Sequence, residues 1–276
     1  MSQVEPNQVS SDRDGWKTVR QRLAAGESVI GMTVTSSNVE TAAYAATLGF
    51  HFLWAEMEHS PLSLESLRSI VLATRGLPAA VFARVPWVEL WMAKRVLDQG
   101  VQGVIFPFTS SRQKALVASQ ACRYPLAGLR GSGAGLAVLT WPEAGSYYDS
   151  ADANILVVCV IEEACALDEI DEIAQTPGVD VLFIGTSDLS FSLGLRGVQD
   201  HPLLDEAIEK IVSAARRHGK YLGRPAARPE DVRRFESQGF RFFQSLTELG
   251  LMQLGANALL KPLGIEGTKY VQSTFY

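Results

Sequence analysis

Apolar residues along the chain fall into short, nearly continuous runs, separated by longer stretches in which they recur every three or four positions. The runs at 28–34 (SVIGMTV), 50–57 (FHFLWAEM), 79–85 (AAVFARV), 103–108 (GVIFPF), 155–161 (ILVVCVI), 179–185 (VDVLFIG), 220–225 (KYLGRP) and 240–246 (FRFFQSL) predict eight strands. Several are apolar at nearly every position, the pattern of parallel strands covered on both faces. The stretches 38–48, 65–74, 88–98, 111–121, 163–175, 203–218 and 229–237 predict amphipathic helices, and 248–263 (ELGLMQLGANALLKPL) predicts a final apolar one. Gly49, Gly76, Gly100, Gly178, Gly219 and Gly239 each stand at or just past a helical stretch and before a strand, where a left-handed C-cap is needed.

Eight strands alternating with eight helices predict an α/β fold, a (β/α)8 barrel forming one domain over residues 15–263. A doubly wound open sheet shares the alternation, but neither GxGxxG nor GxxxxGK[ST] follows the first strand. The polar residues 1–14 read as a flexible tail and residues 264–276 as a C-terminal tail. The longest interruption, 122–154, contains YPLAGLRGSGAG and SYYDSADAN and reads as a long loop on the functional side of the barrel.

Composition narrows the class. With 276 residues, 47% of them hydrophobic, the chain can bury a large core. Its net charge of −5 is spread without a basic run, which argues against nucleic acid as a partner. No apolar stretch approaches the roughly 18–20 residues that span a bilayer. The polar N-terminus lacks the apolar centre of a secretory signal, so a cytoplasmic location is expected. Cys122, Cys159 and Cys165 lack CxxC spacing and suggest neither a disulfide framework nor a zinc site; Cys159 reads as a small core residue.

Barrel enzymes carry their chemistry at the C-terminal ends of the strands. There the second strand ends in Glu56-Met57-Glu58-His59, the third carries Arg84, the fifth runs into Glu162 and the sixth into Gly185-Thr186-Ser187-Asp188. Asp98 closes the helix before the fourth strand. Glu162 and Asp188, from adjacent strands, suit a hard divalent cation, which one or two carboxylates hold with water and substrate oxygens. The plainer alternative is that they form salt bridges and caps. Arg84, inside an apolar strand, needs an anion: either a barrel carboxylate or a substrate carboxylate or enolate. His59, beside two acids, has the chemistry of a general base. No lysine stands at an inner strand end, since Lys220 opens the seventh strand and Lys94, Lys114 and Lys261 belong to helices. A Schiff-base mechanism is therefore not expected, and a metal takes the electron-sink role.

These residues resemble the HpcH/HpaI aldolase family. Trp54-Ala-Glu-Met-Glu-His59 is similar to that family's D-x-E-H signature. Ala83-Arg84-Val-Pro-Trp87, Leu97-Asp98-Gln-Gly100 with Val104-Ile-Phe-Pro107, Arg123-Tyr124-Pro125 with Gly128-Leu-Arg-Gly131, Val160-Ile-Glu162, and Phe183-Ile-Gly-Thr-Ser-Asp188-Leu-Ser190 follow in order. The resemblance implies a class II aldolase that reversibly cleaves a 4-hydroxy-2-oxo acid, of the 2-keto-3-deoxy sugar-acid type, to pyruvate and an aldehyde through a pyruvate enolate. It implies Mg2+, Mn2+ or Co2+ on Glu162 and Asp188, His59 as acid/base and Arg84 on pyruvate. It also places Asp98 at a subunit interface and the last helix in a homo-oligomer, a trimer or hexamer. Glu56 or Asp98 is expected to orient His59, and the amides of Gly185, Thr186 and Ser187, with the Gly131–Gly135 loop, to hold the substrate carboxylate.

Two departures from the family pattern stand out. Glu56 replaces the usual Asp, and Gly223-Arg-Pro-Ala-Ala-Arg228 brings Arg224 and Arg228 toward the seventh strand's end. Those arginines leave open a related lyase acting on an oxaloacetate-like 2-oxo diacid or an acyl-CoA. A barrel that binds a 2-oxo acid without turnover is the non-enzymatic alternative.

Overall fold

The computed structural model describes residues 17–141 and 147–267. In chain order its elements begin α1 (Val19–Ala24), β1 (Val29–Val34), α2 (Val39–Ala45), β2 (Phe52–Glu56), α3 (Leu64–Ala73), β3 (Ala80–Arg84), α4 (Leu90–Asp98) and β4 (Gly103–Phe106). There follow α5 (Arg112–Ala121), α6 (Gly135–Val138), α7 (Tyr147–Asn154), β5 (Leu156–Ile161), α8 (Ile170–Gln175), β6 (Val181–Ile184) and α9 (Thr186–Ser192). The chain then forms α10 (Pro202–Arg217), β7 (Tyr221–Pro225), α11 (Pro229–Ser237), β8 (Phe240–Thr247) and α12 (Glu248–Leu260). All eight strands pair in parallel and in sequence order, and β1 pairs with β8 to close the barrel. The tail expected over 1–14, and residues 268–276 of the tail expected over 264–276, lie outside the described residues. Among the described residues no helix is long and apolar enough to cross a membrane.

Side-chain alternation explains why eight almost wholly apolar strands pack on both faces. Phe52, Trp54, Phe82, Ile105, Leu156, Val158, Val160, Val181, Phe183 and Phe242 fill the barrel interior, and Val19 and Leu23 of α1 pack with them. The strand residues between them face the helices and form the larger outer core. The interior aromatics fit because neighbouring strands supply glycine. A Cβ on Gly31 would lie 2.1 Å from the Phe52 ring, and one on Gly103 would lie 2.4 Å from the Phe82 ring.

The ends of all eight strands fall within two residues of those predicted. The six glycines expected as caps all have positive φ, from 63° at Gly219 to 100° at Gly49 and Gly100. Three expectations need correction. The segment 122–154 is not one long loop: α6 and α7 form within it, and Tyr147 and Ala151 of α7 are buried. The helix expected over 163–175 divides into a 3-10 turn, Ala164–Leu167, and α8. Short helices α1 and α9 were not anticipated, because each is too brief to show a helical period.

Candidate active site

The inward alternation ends, at the C-terminal rim, in charge. Glu56 and Arg84 are inward residues paired in the β2–β3 register, and Glu162 and Gly185 follow the inward positions of β5 and β6. Glu56, Arg84 and Glu162 are all buried. Arg84 Nε donates to Glu56 Oε2 at 2.6 Å, and its Nη1 lies 3.1 Å from Glu58 Oε2. The guanidinium also lies 5.7 Å from the centroid of the Trp54 ring, whose Nε1 donates to Glu56 Oε2 at 3.1 Å.

Glu56 does not orient the His59 ring as expected. Its Oε1 accepts from the main-chain amides of Glu58 at 2.8 Å and His59 at 3.0 Å, so it folds the backbone that presents the histidine. Among the described residues, the carboxylate beside the ring is that of Glu58, whose Oε1 is 3.7 Å from His59 Nε2. The histidine side chain is 44% exposed, at the mouth of the site. Glu58 was not singled out from the sequence. The signal was available, since it lies two residues after inward Glu56 on the same alternation.

Glu162 Oε1 accepts from Phe108 N–H at 2.6 Å. On its other side, a Cβ on Gly185 would lie 2.7 Å from Glu162 Oε2. The Gly185 N–H donates to Ile161 O at 3.1 Å, so it is committed to the barrel and is not aimed at a ligand. What Gly185 provides is room for the carboxylate. Thr186 is buried in the first turn of α9, Ser187 half-buried beside it, and Asp188 half-buried in the same turn.

The site holds more acid than base. Burial pushes the Glu58 carboxyl up to about 7, opposed by Arg84 and reinforced by Glu162, Glu56 and Asp188. Burial likewise pushes Glu162 up to about 7, opposed by the Phe108 N–H and Arg84 and reinforced by Asp188 and Glu163. Among the described residues, Glu56, Glu58 and Glu162 thus lie in the field of Arg84, and Asp188 adds its charge to Glu58 and Glu162. A divalent cation fits this donor set: it neutralises the surplus charge, and carboxylate oxygens are hard ligands. Among the described residues no group of three or more His, Cys, Asp or Glu is arranged to hold a metal alone. Glu162 and Asp188 lie close enough for the charge of one to act on the other, and a cation held by such a pair would take its remaining ligands from water and substrate.

The structure does not bring Asp98 into this cluster. Its carboxylate lies 3.3 Å from Arg130, and burial raises its pKa against the pull of that arginine. The contact belongs to the outer layer, where Arg130 also donates to the Tyr147 hydroxyl at 3.1 Å. Arg224 is likewise corrected. It points outward between the helices, 3.5 Å from the centroid of Phe235 and 5.3 Å from that of Phe240, because inward Gly223 sets the opposite phase for its neighbour. Arg228 is exposed and pairs with Asp231 at 2.8 Å. Neither arginine shapes the pocket, and the acyl-CoA reading loses the basic pair that favoured it.

A closed parallel barrel with charged side chains gathered at adjacent strand ends has the layout of a barrel enzyme, and comparison identifies the group. The model of the HpcH/HpaI aldolase/citrate lyase family matches residues 29–253. The chain is 32% identical over 237 residues to 5-keto-4-deoxy-D-glucarate aldolase of Escherichia coli K12, covering 86% of this chain and 93% of the relative. It superposes on the crystal structure of an HpcH/HpaI aldolase/citrate lyase family protein from Burkholderia cenocepacia with a TM-score of 0.81 and 28% identity, covering 89% and 98% of the two chains. The citrate synthase SbnG has a TM-score of 0.79 and 25% identity, with 90% and 97% covered. The chain belongs to the HpcH/HpaI aldolase/citrate lyase family and is a carbon–carbon lyase.

Proposed function

We propose that the chain is a divalent-metal-dependent aldolase. It reversibly cleaves a 4-hydroxy-2-oxo acid, of the 2-keto-3-deoxy sugar-acid type, to pyruvate and an aldehyde. The observation that carries this reading is the convergence of Glu162, Asp188, Arg84 and the Glu58–His59 pair at one rim of the barrel. The aldolase activity named for the E. coli relative supports the substrate class.

Each residue has a task that its environment suits. Glu162 and Asp188 hold the cation, which when bound supplies Lewis-acid polarisation of a carbonyl. Arg84, fixed by Glu56 and Glu58, directs its guanidinium at the oxo-acid end of the substrate and stabilises charge that develops there. His59, at the exposed mouth, takes the proton of the C4 hydroxyl. The electron pair left on oxygen by the broken O–H bond then forms the second bond of the aldehyde carbonyl, and the C3–C4 pair moves into the enolate of pyruvate. Glu58 beside the ring stabilises the imidazolium that results, and the returning proton ends on C3. General base catalysis of this kind contributes roughly 10²–10⁴-fold.

The assembly we propose is a homo-oligomer, a trimer or hexamer. Of α12 only Gly250 is buried, while Leu249, Met252, Leu254 and Leu259 are exposed on an apolar helix that follows β8. Such a surface calls for a partner of the same chain. Asp98 and Arg130, away from their own subunit's rim, are proposed to lie near that interface.

Incubating the protein with Mg2+ and 5-keto-4-deoxy-D-glucarate, or with shorter 4-hydroxy-2-oxo acids, tests the reaction by release of pyruvate. Release from at least one of them is expected. Cleavage of citrate or oxaloacetate with none of these acids consumed would overturn the substrate class.

A further inference from the structure

Phe108 lies just beyond β4 with φ of 49°, in the left-handed region that residues with a Cβ seldom occupy. Phenylalanine stays there only where surrounding contacts impose it. Three contacts do so. The Phe108 N–H donates to Glu162 Oε1 at 2.6 Å. The Phe108 carbonyl accepts from Lys114 Nζ at 2.8 Å. Its ring packs on Trp87, with centroids 5.5 Å apart and planes inclined by 33°.

The same ammonium ties these groups together. Lys114 Nζ donates to Ser110 Oγ at 2.9 Å, lies 3.7 Å from Glu163 Oε2 and sits 5.0 Å from the centroid of the Trp87 ring. Lys114 occupies the first turn of α5, where the helix dipole disfavours a cation and α5 itself supplies no acid; the carboxylate beside the ammonium, Glu163, comes from beyond β5. Helix stability therefore does not account for a lysine at this position, whereas the contacts of its head group do.

We propose that Lys114 and Trp87 are positioning residues. They hold Phe108 in the left-handed conformation, so that its amide aims at Glu162 and fixes the orientation in which that carboxylate meets a divalent cation. Gly185 completes the arrangement by leaving Glu162 the space that a Cβ at that position would take. The inference rests on the reading of Glu162 as a metal ligand. Residues of this kind, behind the ligand, typically change metal affinity ten- to a hundredfold.

Titration of the full chain with Mn2+, followed by electron paramagnetic resonance, tests it without recourse to turnover. Lys114→Met keeps the aliphatic length and removes the ammonium, and should weaken Mn2+ binding by about tenfold. Lys114→Arg, whose guanidinium still reaches the carbonyl and the Trp87 ring, should retain wild-type affinity to within about threefold. Trp87→Leu should weaken binding in the same direction, and carries the test if Lys114→Met does not fold. A merely structural clamp would lower the unfolding temperature of the metal-free chain and leave the Mn2+ affinity of the folded protein unchanged. That result would overturn the proposal. Wild-type protein that binds no Mn2+ would instead remove Glu162 as a ligand, and this role with it.

Discussion

Glu56 and Arg84 stand opposite each other in the β2–β3 register, with Glu56 Oε2 2.6 Å from Arg84 Nε and both side chains buried. The pair gives a place to Glu56, which stands where the resemblance leads one to expect aspartate. One oxygen serves Arg84 and Trp54 while the other serves the amides of Glu58 and His59. The carboxylate thus links Arg84 to the backbone that presents His59.

Removing its charge has a calculable consequence. Glu56→Gln leaves Arg84 buried beside a neutral acceptor, and breaking a buried pair costs about 3–5 kcal/mol. Urea denaturation should register that loss. Pyruvate enolisation should fall by about 10² in the fraction that folds, since Arg84 and His59 both lose their fixed positions.

Gly185→Ala introduces one methyl group. Its Cβ would sit 2.7 Å from Glu162 Oε2 and 2.8 Å from Glu162 Cβ, contacts that force the carboxylate to move. Overpacking of this kind costs about 1–3 kcal/mol. Mn2+ affinity should fall by at least tenfold, a larger effect than the stability change alone would give.

The raised carboxyls also set a pH dependence. Glu58 and Glu162 are held at about 7, above the ordinary carboxyl value of 4.5, so the folded chain binds more protons than the unfolded chain between those limits. Metal-free stability should therefore fall as pH rises from about 4.5 to 7, and level off above. A cation on Glu162 competes with its proton, so the rise in unfolding temperature produced by Mg2+ should be small at pH 5.5 and grow toward pH 8. Thermal scans with Mg2+ and with chelator across that range measure both slopes. A metal-induced rise that is larger at pH 5.5 would contradict the assignment.

The exposed face of α12 makes an assembly prediction. Leu254→Asp with Leu259→Asp places two charges on a helix whose apolar residues are otherwise in water. Light scattering on the eluting protein should show the wild type as a trimer or hexamer and the double variant as a smaller species with its barrel intact by circular dichroism.

The barrel was legible because its evidence is redundant. Eight buried strands must be apolar on both faces, and six glycines in the left-handed region mark where helices end. The rim was legible in part. Arg84 inside an apolar run implied an anion, and Glu56 is that anion, at the register position which pairs the two strands. Phe108 was not legible, because its positive φ is carried by a phenylalanine and only tertiary contacts impose it. The outward turn of Arg224 was misread because β7 contains Gly223, a residue with no side chain to show the phase of the alternation. Asp98 was drawn into the site by the resemblance, and its own contacts lie with Arg130 in the outer layer.

In the proposed reaction, Arg84, His59 and the Glu162–Asp188 pair generate a pyruvate enolate with the help of a divalent cation. Exchange of the pyruvate methyl protons for deuterium, followed by proton NMR without any aldehyde present, tests it most directly. Exchange should appear with Mg2+ or Mn2+, disappear with chelator, return when metal is restored, and be lost in Glu162→Ala and Arg84→Ala. Exchange that persists in the chelated protein after complete metal removal, or in Glu162→Ala at the wild-type rate, would contradict it.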